Sequence, residues 1–155
     1  MEFRTPQDSD WPEILRIANR SVAVVPGAVD QSGWLATRRH VHQDEDQYHV
    51  VLEDKGRILG YGAVEHADEA ASDSYRIFVV TDPEHLEEYG SLIFEHAELR
   101  LQDFKASSSY FMEYADDERL NSFIRRRGYS NVMMFDLDSG RQAVILSKSL
   151  LESDE

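Results

Sequence analysis

Cysteine is absent from this chain of 155 residues. Disulfides, thiolate zinc sites and a cysteine nucleophile are therefore all excluded. Proline and glycine are sparse, at 4 and 8 residues, and no Pro- or Gly-rich linker, repeat or low-complexity stretch divides the sequence. Basic residues are also scarce: 16 Lys and Arg stand against 30 Asp and Glu, a net charge of −14. Such a field repels nucleic-acid backbones and anionic membranes and draws cations such as amines; an acidic surface kept for solubility gives the same count. No apolar run approaches the roughly 18 residues needed to span a bilayer. Met1-Glu2-Phe3-Arg4 opens with a strand-like pattern, without the basic start and apolar stretch of a signal peptide. The expectation is a cytoplasmic protein with neither nucleic acid nor membrane as partner.

What is present is core material: 41% apolar residues, with two Trp, seven Phe and seven Tyr. That suits one globular domain over residues 1–151, with a disordered acidic tail at 152–155. The periodicity switches repeatedly between 2 and 3.6. Glu2 to Arg4 reads as a strand. Asp10, Pro12 and Glu13 then give the start of a helix, Asp10 as its cap, whose apolar face is Trp11, Ile14, Leu15 and Ala18. A second helix is expected from Ser32 to His42. Tyr48 to Glu53 and Arg57 to His66 form a hairpin about Asp54-Lys55-Gly56, with Gly56 supplying the positive φ. Asp68 to Asp73 is a loop and Ser74 to Val80 a fourth strand. The longest helix runs from about Leu86 to Asp103, with Tyr89, Ile93, Ala97 and Leu101 at steps of four and Leu92 and Leu99 beside them. Ser109 to Tyr114 is a fifth strand. A short helix capped by Asp116 or Asp117 turns Leu120, Phe123 and Ile124 inward and stops at Gly128. Asn131 to Leu137 and Gln142 to Leu150 are the last two strands. The order β-α-α-β-β-β-α-β-α-β-β argues for an α+β layer and against a doubly wound sheet.

Three stretches stand out in this order. One is the hairpin end Gly56-Arg57-Ile58-Leu59-Gly60-Tyr61-Gly62. The second is Ile77-Phe78-Val79-Val80-Thr81-Asp82-Pro83-Glu84 leading into Gly90-Ser91-Leu92-Ile93. The third is Asp117-Glu118-Arg119-Leu120-Asn121-Ser122-Phe123-Ile124-Arg125-Arg126-Arg127-Gly128-Tyr129. In this order and spacing they make the chain resemble, over essentially its whole length, the GNAT superfamily of N-acetyltransferases. The resemblance implies a mixed, mostly antiparallel seven-stranded sheet flanked by about four helices. It also implies acetyl-CoA as co-substrate and direct acetyl transfer, in a ternary complex, to a small-molecule amine or a protein amino group; a homodimer is left open. Phe78, Val79 and Val80 would offer an unpaired strand edge to the pantetheine arm. Glu88, Tyr89, Gly90 and Ser91 would lie at the pyrophosphate, where a helix N-terminus favours an anion. The family's loop carries Arg or Gln, two residues, Gly, one residue, then Gly or Ala. His85-Leu86-Glu87-Glu88-Tyr89-Gly90 keeps only the last Gly, and Ile124 stands where a Tyr often serves as general acid. These departures motivate an alternative, a GNAT-fold binding or regulatory module without catalysis.

The implied chemistry needs a base for the attacking amine and an acid for the leaving thiolate. Glu65, His66 and Glu113 are the candidate bases, each weighed against a solvated charge at a strand end. Tyr114, Tyr110, Tyr75 and Tyr129 are candidate acids, with Tyr114 preferred because it leaves the fifth strand near the expected opening; a packed ring with a wet hydroxyl is the competing account. Arg125, Arg126 and Arg127 suit the 3′-phosphate of CoA or simply a cationic helix end. His40, His42 and Asp44 do not converge from a helix, so no metal is expected.

Overall fold

The computed structural model describes residues 1–20, 47–66, 73–137 and 140–150. The expected helix from Ser32 to His42, the His40, His42 and Asp44 grouping, most of the loop after His66 and the acidic tail lie outside the described residues. Strands β1 (Glu2–Arg4), β2 (Gln47–Asp54), β3 (Arg57–His66), β4 (Ser74–Thr81), β5 (Ser108–Tyr114), β6 (Ser130–Asp136) and β7 (Gln142–Ser149) form one sheet in the order β1-β2-β3-β4-β5-β7-β6. Neighbours are antiparallel except β4 and β5, which run parallel. Three α-helices are described: α1 (Trp11–Arg20), α2 (Ser91–Asp103) and α3 (Glu118–Arg125). None of the described helices is long and apolar enough to cross a membrane.

Strand alternation sorts side chains to the two faces of the sheet. Phe78 and Val80 of β4 pack with Tyr61 and Ala63 of β3 against Trp11, Ile14, Ile17 and Ala18 of α1. Ile77 and Val79 join Val64, Phe111, Val144 and Leu146 under Ile93, Phe94, Ala97 and Leu101 of α2 and Leu120, Phe123 and Ile124 of α3. Ile93, Phe94 and Leu101 are at most 1% exposed, each burial being worth about 1.5–3 kcal/mol. Leu92 and Leu99, expected beside this stripe, are instead 37% and 62% exposed. The i, i+4 row faces the sheet together with Phe94, not with Leu92 and Leu99, so the apolar face is shifted from the one the sequence suggests.

Three other local expectations are refined. In the hairpin both Lys55 and Gly56 have positive φ, 52° and 81°, which matches the right-handed twist of the strands. Asp10 does not cap α1 as expected. It ends a 3-10 turn (Asp8–Asp10), where its carboxylate accepts from the Gln7 N–H at 2.7 Å and from Arg4 at 2.6 Å. Arg4 also grips Glu53, tying the first strand to the second and to the 3-10 turn before α1. The long helix does not begin regularly at Leu86. A 3-10 turn (Pro83–His85) and a π turn (Leu86–Gly90) precede α2.

Helix α2 crosses β3 so closely that β3 needs glycine there. A Cβ on Gly62 would lie 2.5 Å from Ile93 Cγ2, and one on Gly60 would lie 2.5 Å from Ile93 Cδ1. Gly62→Ala should therefore destabilise the protein by about 1–3 kcal/mol in urea unfolding. Adding Ile93→Leu, which removes the Cγ2 branch, should recover part of that loss. Additive costs would show that the helix is not seated on this glycine.

Candidate active site

The pairing of β4 with β5 ends after three residue pairs, Ser74 with Ser108, Tyr75 with Ser109 and Arg76 with Tyr110. Beyond them β4 continues to Thr81 paired only with β3, and β5 continues to Tyr114 paired only with β7. The sheet is thus forked, and the backbone edges from Ile77 and from Phe111 onward face the opening without a strand partner. Phe78, Val79 and Val80 lie on that edge. Their side chains are 3%, 3% and 1% exposed, so what they offer the fork is backbone. At its closed end the Arg76 guanidinium lies 4.5 Å from the Phe78 ring centroid and donates to the Met112 carbonyl at 3.4 Å.

Glu113 sits three residues beyond the last paired residue of β5. It is 6% exposed, and its Oε2 is buried with no hydrogen-bond partner among the described residues. Burial raises its carboxyl well above the ordinary range; Arg76 opposes that shift and the charge of Asp117 adds to it. Asp117, not Asp116, caps α3: its Oδ1 accepts from the Leu120 N–H at 3.1 Å. Its Oδ2 is buried and unpartnered, and burial raises this carboxyl too. Asn121 donates through Nδ2 to the Tyr114 carbonyl at 2.9 Å, while its own Oδ1 is buried without a partner. Three unsatisfied oxygens thus collect where β5 turns into α3. Buried polar atoms without partners are uncommon in folded proteins and call for a cause.

The other candidates scatter. Tyr114 ends β5 half-buried, with the Arg141 guanidinium 3.5 Å from its ring centroid and Arg141 paired to Asp116 at 2.6 Å. Glu65 lies across from Arg76 in the sheet register, beside the closed end of the fork, with Oε2 3.9 Å from His49 Nε2. His66 packs edge-on to Tyr75, which stacks on Phe104, also at that end. Tyr129 is buried, its hydroxyl bonded to Ser109 Oγ, and burial pushes up the pH at which it ionises. Tyr110 belongs to the last paired position. Of the named candidates only Glu113 and Tyr114 reach the open part of β5. Asp117 and Asn121 carry no mark of a site residue in the sequence. The sequence shows a helix cap, whereas their burial depends on how α3 folds back on the sheet.

At the start of α2 the candidate anion site is built differently from a glycine loop. Glu88 is exposed, Tyr89 is half-buried against the core and Gly90 is buried. A Cβ on Gly90 would lie 3.0 Å from Leu86 Cδ1 and 3.4 Å from Phe123 Cζ, so this glycine serves the seating of α3 against α2. Ser91 Oγ donates to the Glu87 carbonyl at 2.5 Å and accepts from Arg127 at 2.6 Å. Arg127 lies flat on the Phe123 ring, 3.6 Å from its centroid, and Arg126 pairs with Glu87. Arg125 turns away to Asn131 at 3.1 Å. Two of the three arginines therefore stand at the start of α2.

No protein-family model matches the sequence, and no curated protein matches it. Solved structures do match in shape. A ribosomal-protein-S18-alanine N-acetyltransferase from Escherichia coli superposes with a TM-score of 0.73 at 14% identity, covering 99% of this chain and 96% of the other. The Salmonella typhimurium protein yncA, solved with its cofactor acetyl-CoA, gives 0.77 at 15% identity, covering 100% and 96%. A GNAT-family protein from Desulfovibrio desulfuricans gives 0.79 at 13% identity, covering 97% and 99%. With its seven-stranded sheet forked between β4 and β5, the chain has the fold of the GNAT N-acetyltransferases.

Proposed function

We propose that this protein is an acetyl-CoA-dependent N-acetyltransferase that passes the acetyl group directly to an amine held in the same fork. The observation that carries the reading is the end of β4–β5 pairing after Arg76 and Tyr110. It leaves a run of backbone N–H and C=O groups on Ile77 to Thr81 that want partners. The amide groups of a pantetheine arm supply them, in the manner of an added strand. The start of α2, with Ser91 and Arg127 beside it, is where a pyrophosphate gains from the helix dipole. Glu87 would oppose it, but its charge is already met by Arg126; Glu88 is exposed, where solvent screens it. The net charge of −14 favours a cationic acceptor, whether a small amine or a protein amino group. In the reaction the amine nitrogen attacks the thioester carbonyl, a proton leaves the nitrogen and the sulfur departs as thiol. Glu113, buried at the fork with a free oxygen and kept toward its neutral form by that burial, suits the proton that the departing sulfur takes up.

A second reading, binding without catalysis, is favoured by Ile124. It is fully buried in the core, where the family often places its acid. The two readings part in one experiment. Acetyl-CoA at about 100 times its dissociation constant should add about 2.7 kcal/mol to unfolding stability, and an amine panel of polyamines, amino acids and basic peptides should release free thiol. A stability gain without thiol release selects the binding module. No gain at millimolar acetyl-CoA removes both uses of the cofactor site.

Glu113→Gln gives a paired test. A carboxyl whose pKa is raised on folding costs nothing below the unfolded value near 4.3, and its cost grows as pH rises above that value. The variant should match the parent's melting temperature near pH 4 and exceed it by a growing margin toward pH 8. Turnover should fall about 100-fold or more. A variant less stable than the parent at pH 8 would mean that Glu113 is satisfied in the folded protein.

A further inference from the structure

We infer that this protein associates with a second copy of itself through the outer edge of β6, the two strands running antiparallel about a two-fold axis. The sheet order places β6 beyond β5 and β7, so such pairing leaves the fork between β4 and β5 open.

The two edges of the sheet are built differently. β1 is three residues long and carries Glu2 and Arg4, a short charged edge of the kind that discourages pairing with another chain. β6 is seven residues long and has no charged residue before Asp136. Among the described residues β7 is its only strand neighbour, so the backbone groups along its other side want partners. Val132, Met133 and Met134 are 61%, 56% and 53% exposed. Met133 and Met134 pair with successive residues of β7, Ile145 and Val144, and so point to opposite faces. Both faces of the edge are therefore apolar and uncovered, which marks a surface that binds another protein. A bulge between Asn131 and Met133 takes Val132 out of the ladder, and from Met133 to Asp136 the strand is regular.

The charges at the two ends of β6 select the partner. At its start the exposed Arg125 donates to Asn131 Oδ1 at 3.1 and 3.3 Å. At its end the exposed Asp136 accepts from Gln142 Nε2 at 3.3 Å. Among the described residues neither Arg125 nor Asp136 has an ion-pair partner. Asn131 and Asp136 lie opposite Leu146 and Gln142, four residues apart on β7, so both point to the same face of the sheet. Antiparallel pairing of identical strands sets the start of each beside the end of the other. With the axis at Met133 or Met134, Asp136 of one copy falls within one residue of Asn131 in the other, and so beside that copy's Arg125. The contact is made twice, once on each side of the axis, while the methionines meet at the centre and leave water. Parallel pairing of two copies would instead bring like charges together.

Sedimentation velocity of the full chain between about 1 and 200 µM tests the pairing. About 0.15 M salt screens the long-range repulsion between two acidic copies. The mass should rise with concentration from 17.9 kDa toward twice that value. Met133→Lys, at an exposed position, should keep the parent's circular dichroism and weaken association about 10-fold or more. Arg125→Glu and Asp136→Lys should each weaken it by a similar factor, because each turns two attractive contacts into repulsive ones. Mixed in equal amounts, these two variants should recover the parent's association, since every altered charge then meets an opposite one. A single-chain mass over the whole range, association untouched by Met133→Lys, or a mixture that recovers nothing would overturn the β6 pairing.

Discussion

The fork between β4 and β5 is the constraint on which the rest of this structure depends. A parallel pair of strands normally stays in register to its ends, because each dropped residue leaves backbone donors and acceptors unsatisfied. Here pairing stops after three residues, and the cost is tolerated because each strand keeps a full antiparallel neighbour on its other side, β3 for β4 and β7 for β5. β4 also buries side chains on both faces, and β5 on the face toward α2 and α3. Phe78 and Val80 pack against α1, Val79 and Phe111 against α2. The opening is therefore held from outside itself, and a ligand entering it meets preformed backbone.

The same economy governs the start of α2. A loop of glycines would let backbone N–H groups approach an anion, yet this chain places two carboxylates there. The structure answers with charge supplied from another element. Arg126 and Arg127, from the end of α3, reach Glu87 and Ser91 respectively. Arg127 loses some of its preference for charge through burial, and it is steadied by the Phe123 ring and carbonyl. The exposed Arg126 pair contributes little by itself; what it does is offset the charge of Glu87 where α2 begins.

How much of this was legible in the sequence follows from the range of each cause. Alternation and turn chemistry are local, so β3 was read to its last residue, and Gly56 and Gly128, at φ 81° and 94°, were placed by their turns. The resemblance supplied the fork. What escaped was set by distant partners. Asp10 carries every mark of a helix cap, but Arg4, reaching in from β1, draws its carboxylate backward. Leu99 fits an apolar stripe, yet α2 turns Ile93, Phe94, Ala97 and Leu101 to the sheet and leaves Leu99 exposed. In the site, Glu113 was named because it lies on β5. Asp117 was named only as a cap, since nothing local reveals that its second oxygen is sealed off.

That last case bears on how a proton-handling group is recognised. A search by position looks for a tyrosine at residue 124, finds isoleucine and concludes that the acid is missing. The acid a thioester needs, however, is any group that is neutral at working pH and sits at the opening. Desolvation makes a carboxyl such a group as effectively as a phenol's intrinsic pKa does. Ile124 contributes to that desolvation indirectly: fully buried with Phe123 and Leu120, it seats α3 on the sheet, and α3 carries Asp117 and Asn121 to the end of β5. A residue that removes the family's acid from one position thus helps to build the dry pocket whose burial raises the Glu113 carboxyl.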